Sequence, residues 1–160
     1  MHKPESSTDN KLLNICEILQ YITFAISGLS ILLPLLFWNQ IPDTIPSHYR
    51  VSGIADAYST KGGLFLLFLV VLFLLGLTTL SACHIKFEAT SEFAREKEKK
   101  QLELDYPITI YLGFISQCCF AYIIFCTATC RNLGGWFTII SLIATFVPLV
   151  SFFIRYQLRP

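Results

Sequence analysis

A chain of 160 residues that is 54% hydrophobic and only 14% charged falls outside the balance of a water-soluble domain. Its 12 Lys+Arg against 11 Asp+Glu leave a net charge of +1, which gives no reason to invoke nucleic acid. The composition points instead to an integral membrane protein.

Residues 1–17 open with "MHKPESSTDNK", polar and mixed in sign, a cytoplasmic head rather than a domain. Four windows without Asp, Glu, Lys or Arg follow, over about 18–38, 63–83, 107–127 and 134–154. Each is about 21 residues, about 30 Å as helix, enough to cross a bilayer. Backbone groups in hydrocarbon must bond within their own segment, so the windows are expected to be helical. They form an all-α, four-helix membrane bundle over 18–154, and their long uniform runs are unlike the alternating segments of an outer-membrane barrel. The first window has Pro34 inside it and no small-x-small cleavage site after it, so it is expected to be a retained helix rather than a signal peptide.

Between the second and third windows, "HIKFEATSEFAREKEKKQLELDYP" alternates acid and base at helical spacing, with Glu96 and Lys100 at i,i+4 and Glu92 and Arg95 at i,i+3. It is expected to extend the second helix into the cytoplasm. Pro107 is placed at the start of the third helix, where a missing N–H costs least, with Asp105 near the positive end of the dipole. Inside the third helix Gln117 is the intramembrane polar residue to watch, expected to hydrogen-bond across to another helix. Thr78 with Ala82, Thr109 with Gly113 and Ser141 with Thr145 put small residues at four-residue spacing, which allows close helix approach. Six cysteines occur without any Cys-x-x-Cys, and they read as small apolar packing residues. No metal site, cofactor or catalytic residue is expected from them. Gly-rich phosphate loops, His-Glu-x-x-His and Gly-x-Ser-x-Gly are absent from the sequence.

Orientation follows the basic residues. Nine of the twelve lie in the head, the second loop and the tail at 155–160, which places both termini in the cytoplasm. Arg50, Lys61 and Arg131 then face outward, with Trp38 and Trp136 at the outer ends of the first and fourth helices as an interfacial aromatic belt.

The remaining segment, 38–63, is "WNQIPDTIPSHYRVSGIADAYSTKGG". Its two Ile-Pro steps hold the chain extended, and Ser52-Gly53 and Lys61-Gly62-Gly63 punctuate it. An ordered extracytoplasmic loop is expected here, in which Asp56 or Asp43 pairs with Lys61 or Arg50. Its candidate binding residues are Pro42, Pro46, His48, Tyr49, Gly53, Asp56, Tyr58 and Lys61. Three readings compete: a packed cap whose polar groups satisfy one another, a recognition surface, and a metal or catalytic site at His48 and Asp56. Two candidate ligands and no nucleophile leave the third thin.

The order Pro42-x-x-Ile45-Pro46-x-His48-aromatic-x-x-x-Gly53-x-x-Asp56-x-Tyr58-x-x-Lys61, set between two membrane helices, resembles the domain of unknown function in the N-terminal half of SdpI-like bacterial immunity proteins. The resemblance covers about 33–77. It implies a multi-pass protein of the bacterial plasma membrane with this loop outside, acting as a binding, protective or sensory protein rather than as an enzyme. The expected partners are membrane lipid and either an extracellular peptide or a partner membrane protein. An accessory subunit of a transporter is the alternative, and a membrane-embedded metal-dependent enzyme the remote one.

Overall fold

The computed structural model describes residues 7–90 and 96–157. Helix α1 spans Ser7–Leu36 and is followed by a single 3₁₀ turn, Trp38–Gln40. Strands β1 (Thr44–Tyr49) and β2 (Ala55–Thr60) come next, then α2 (Gly63–Thr90), α3 (Glu96–Ala128) and α4 (Phe137–Gln157). The architecture is mostly helical, but the expectation of an all-α chain is corrected: the segment between α1 and α2 is an antiparallel two-stranded sheet.

Three helices are long and apolar enough to cross a membrane, over Lys11–Leu36, Gly63–Glu88 and Leu104–Ala128. At 25 or 26 residues each they reach about 38 Å, more than one hydrocarbon thickness. In α4 the apolar stretch among the described residues is shorter, Phe137–Val150. Helix α3 packs against both α1 and α2, whereas α1 and α2 touch each other sparsely, and α4 lies against α3. The α2–α3 contact is tight at Gly113, where an added Cβ would sit 3.2 Å from the Thr78 side chain. The sequence pairs that flagged Thr78 and Gly113 thus mark a real crossing. Gln117, 1% exposed, donates from Nε2 to the Val71 carbonyl of α2 at 3.1 Å, the interhelical bond its position suggested.

The helices outrun their charge-free windows. Helix α2 continues past Cys83 to Thr90, and α3 runs through Pro107 from Glu96, so Pro107 is not the helix start. A proline deletes one N–H bond, and here the deletion falls at the polar end of the span, where water can satisfy the freed carbonyl. The expected Glu92–Arg95 pair lies outside the described residues. All six cysteines are free thiols, from buried Cys16 and Cys126 to exposed Cys83 and Cys130.

Two apolar clusters sit at opposite ends of the helices. One gathers Ile41 and Ile45 from the segment after α1 with Leu64, Phe68 and Val71 of α2 and Ile124 of α3. The other gathers Cys16, Ala82, Tyr106 and Ile110. Polar residues bury along α1 at Thr23 and Ser27, each returning its hydroxyl to the carbonyl four residues back. That arrangement removes the cost of an unmade hydrogen bond in an apolar setting.

Candidate functional site

A lone two-stranded hairpin is marginal in water, so the one between α1 and α2 must be held by what it docks on. Ile45, 1% exposed, is its apolar anchor, driven among Leu64, Phe68 and Ile124. Burying one such side chain contributes about 1.5–3 kcal/mol. Pro46 is buried beside it. A strand of a two-stranded sheet has one unpaired edge, which is where a residue without an N–H can sit. The pairing runs Thr44↔Thr60, Ile45↔Ser59 and Pro46↔Tyr58, then shifts twice, at His48↔Ala57 and again at Tyr49↔Ala55. Ser47 and Asp56 are the residues left out of the pairing, and such bulges re-aim the side chains around them.

At the tip, the Arg50 N–H donates to the Ile54 carbonyl at 2.9 Å and the Gly53 N–H to the Arg50 carbonyl at 2.8 Å. Gly53 takes a left-handed φ of +77°. A Cβ there would stand 2.6 Å from the Gly134 carbonyl oxygen, so only glycine lets the tip touch the α3–α4 connection. The contact is made through the backbone: Leu133 N–H donates to the Gly53 carbonyl at 2.8 Å, and the Ala55 N–H donates to Asn132 Oδ1 at 3.1 Å. Thr138 Oγ1 donates to the Val51 carbonyl at 3.0 Å. Tyr49 reaches the same segment, its hydroxyl 3.2 Å from Thr127 Oγ1 and donating to the Arg131 carbonyl at 3.3 Å. Burial pushes the Tyr49 phenol above its ordinary value, the Thr127 bond opposing in part, so it stays a neutral donor.

The charged side chains divide into two groups. At the base, Lys61 Nζ lies 3.0 Å from Asp43 Oδ1 and 5.6 Å from the centroid of the Trp38 ring, closing the hairpin where it leaves the helices. The Lys61 N–H also donates to the Asp43 carbonyl at 2.9 Å. Towards the tip, Asp56 holds two partners at once: His48 Nδ1 faces Oδ1 at 2.6 Å, and Arg50 Nε donates to Oδ2 at 3.0 Å. An ionised carboxylate only accepts, so this geometry puts a ring proton on Nδ1 of His48. The His48 hydrogen bond first, and the Arg50 hydrogen bond second, hold the Asp56 carboxyl below its ordinary 3.8. The side chains of His48 and Arg50 remain 67% and 70% exposed, while that of Asp56 is 26% exposed.

The nine residues singled out in the sequence therefore scatter by role. His48 and Asp56 come together, with Arg50 as third member. Lys61 lies apart at the base, and Gly53, Pro46 and Tyr49 serve the docking. Pro42 and Tyr58 are exposed, and Gln117 is remote in α3. Missed entirely was the receiving surface on "RNLGG", Arg131–Gly135. Its double glycine, with Gly134 at φ +82°, was the available signal. No group of three or more His, Cys, Asp or Glu able to hold a metal occurs among the described residues. The arrangement offers an exposed guanidinium with free N–H groups beside an exposed imidazole whose outer Nε2 donates only when the ring is cationic, both held side by side by a shared carboxylate. Such a pair suits a carboxylate or another planar anion.

No curated protein and no solved structure matches the chain. The family profile of a domain of unknown function, DUF1648, matches residues 25–72, from the middle of α1 through the hairpin into α2. The likeness is thus to the hairpin and the two half-helices that carry it, and it leaves the docking partner on α3 and α4 outside.

Proposed function

We propose that the chain is a bacterial plasma-membrane protein crossing the bilayer four times, with both termini in the cytoplasm. Its hairpin stands outside as a recognition surface for an extracellular peptide. The observation that carries the reading is the exposed His48–Asp56–Arg50 cluster on a hairpin fastened at both ends. A cap that merely satisfied its own charges would not need a guanidinium and an imidazole left open to water, nor a glycine contact to fix them in place. Exposed Val51, Ile54 and Tyr58 on the same hairpin offer apolar contact beside the charges, the combination that suits a peptide with a free carboxylate and apolar side chains. The resemblance of the sequence motif from Pro42 to Lys61 to the N-terminal half of SdpI-like immunity proteins favours a protective role, in which the peptide is a secreted toxin captured before it acts on the membrane.

The test is survival of toxin-sensitive bacteria challenged with the secreted peptide against which SdpI-like proteins protect. The wild-type chain should protect, and His48→Ala and Arg50→Ala should not, at equal membrane levels. Protection that follows protein level across all variants, or none from the wild type, would reject the role.

A further inference from the structure

At the end of the helices away from the hairpin, α1 and α2 part to leave a cavity of about 310 Å³. Its walls are two matching helix faces. Glu17, Tyr21 and Phe24 of α1 and Thr79, Cys83 and Lys86 of α2 both follow i, i+4, i+7, and buried Tyr106 of α3 forms the floor. Tyr21 is 72% exposed and Phe24 41%, so the groove opens sideways, toward the lipid. At its polar end Lys86 Nζ donates to Glu17 Oε1 at 3.0 Å, joining the two helices just where their charge-free stretches stop. An exposed pair of this kind contributes little by itself and is easily opened.

We propose that this groove binds the zwitterionic headgroup of a phosphatidylethanolamine. The Lys86 ammonium takes the phosphate, the Glu17 carboxylate takes the ethanolamine ammonium, and an acyl chain runs out along Tyr21 and Phe24. Charge complementarity selects this occupant. A ligand carrying both signs offers each of the two charges an opposite one, whereas an anionic lipid satisfies Lys86 and leaves Glu17 facing its own kind. The site lies at the opposite end from the hairpin and does not depend on what the hairpin recognises.

Cys83 lines the groove and is exposed, and Cys130, exposed near the hairpin, is a built-in reference. The full chain in detergent is alkylated with iodoacetamide, with and without dioctanoyl phosphatidylethanolamine, dioctanoyl phosphatidylglycerol or free phosphoethanolamine, and each cysteine is followed by peptide mass spectrometry. The ethanolamine lipid should slow Cys83 about tenfold relative to Cys130, as two charge-assisted contacts allow. The glycerol lipid should slow it less than about twofold, and free phosphoethanolamine not at all. Lys86→Gln and Glu17→Gln should each abolish the protection. Thr79→Leu fills the groove with both charges in place, so it tests the site even if a charge variant fails to fold, and it too should abolish protection. Equal slowing by both lipids, protection by phosphoethanolamine alone, protection surviving Thr79→Leu, or no slowing at all would overturn the assignment.

Discussion

Replacing Gly53 by alanine tests how the hairpin is held. Alanine at φ +77° carries about 1 kcal/mol of backbone strain. Its Cβ would meet the Gly134 carbonyl oxygen at 2.6 Å, and because that atom belongs to the backbone of the α3–α4 connection, relief requires the two segments to separate. Overpacking of this kind costs about 1–3 kcal/mol, and separation would also forfeit the Leu133–Gly53 hydrogen bond, worth about 1 kcal/mol. The two contact contributions, together about 2–4 kcal/mol, fall on docking rather than on the helices, while the backbone strain falls on the turn itself. Hydrogen–deuterium exchange of a peptide covering 129–136 reads the docking loss directly: the Leu133 amide should exchange roughly 30- to 1,000-fold faster, or lose protection altogether. Gly62→Ala is the control, since the nearest atom to its Cβ would be the Thr60 hydroxyl at an ordinary 3.7 Å. If Gly53→Ala exchanges within about threefold of Gly62→Ala, the backbone clasp is not what fixes the hairpin.

Further outcomes follow from the same geometry. Because Asp56 has a lowered pKa in the folded chain, its stabilisation is full above 3.8 and is lost as pH falls through the lower folded value. Hairpin protection in exchange experiments should therefore weaken below 3.8 in the wild type, and Asp56→Asn should remove that acid-dependent step. Gln117→Leu keeps volume while giving up one interhelical bond, and should shift thermal stability by less than about 1 kcal/mol; Gln117→Ala adds a cavity and should cost about 2–3 kcal/mol. In a cysteine-free background, Ser52→Cys should react with an impermeant maleimide on intact cells and Glu88→Cys should not. The reverse pattern would invert the proposed topology. Lys61→Ala should loosen the hairpin base and lower stability, while conservative Lys61→Arg should keep both the Asp43 pair and the Trp38 contact, as thermal melts would show.

What the sequence made legible were the features written in composition. Charge-free windows announced the helices because a span in hydrocarbon tolerates no Asp, Glu, Lys or Arg. Gln117, Thr78 and Gly113 stood out as polar or small residues in apolar runs. The hairpin was not legible as strands. Six-residue strands carrying Pro46 and two register shifts show no clean period of two, so "TIPSHY" and "ADAYST" read only as extended and ordered. Pairing of the charges was open for a related reason: Asp43, Asp56, Arg50 and Lys61 allow more than one match, and the hairpin decides it by bulging Asp56 out of the pairing toward His48 and Arg50 while Lys61 comes across from Asp43. The clasp on Arg131–Gly135 left only its double glycine as a signal, because on the hairpin side it runs through the Gly53 carbonyl and the Ala55 N–H, groups nearly every residue possesses. Glu17 and Lys86 gave no hint of each other, being separated along the chain by a helix, the hairpin and most of a second helix.

The central claim is that the hairpin tip, through His48 and Arg50, captures a peptide outside the cell. Equilibrium binding of the fluorescently labelled toxin peptide to intact cells, at matched surface levels of protein, measures it without relying on survival. Wild-type cells should bind saturably, and Gly28→Ala, whose added Cβ meets nothing within 4 Å, should bind equally. Arg50→Ala and His48→Ala should each weaken binding about tenfold or more, the scale of a lost charge-assisted contact. Binding by wild-type cells no greater than by cells lacking the protein, or binding unchanged in both variants, would contradict the account.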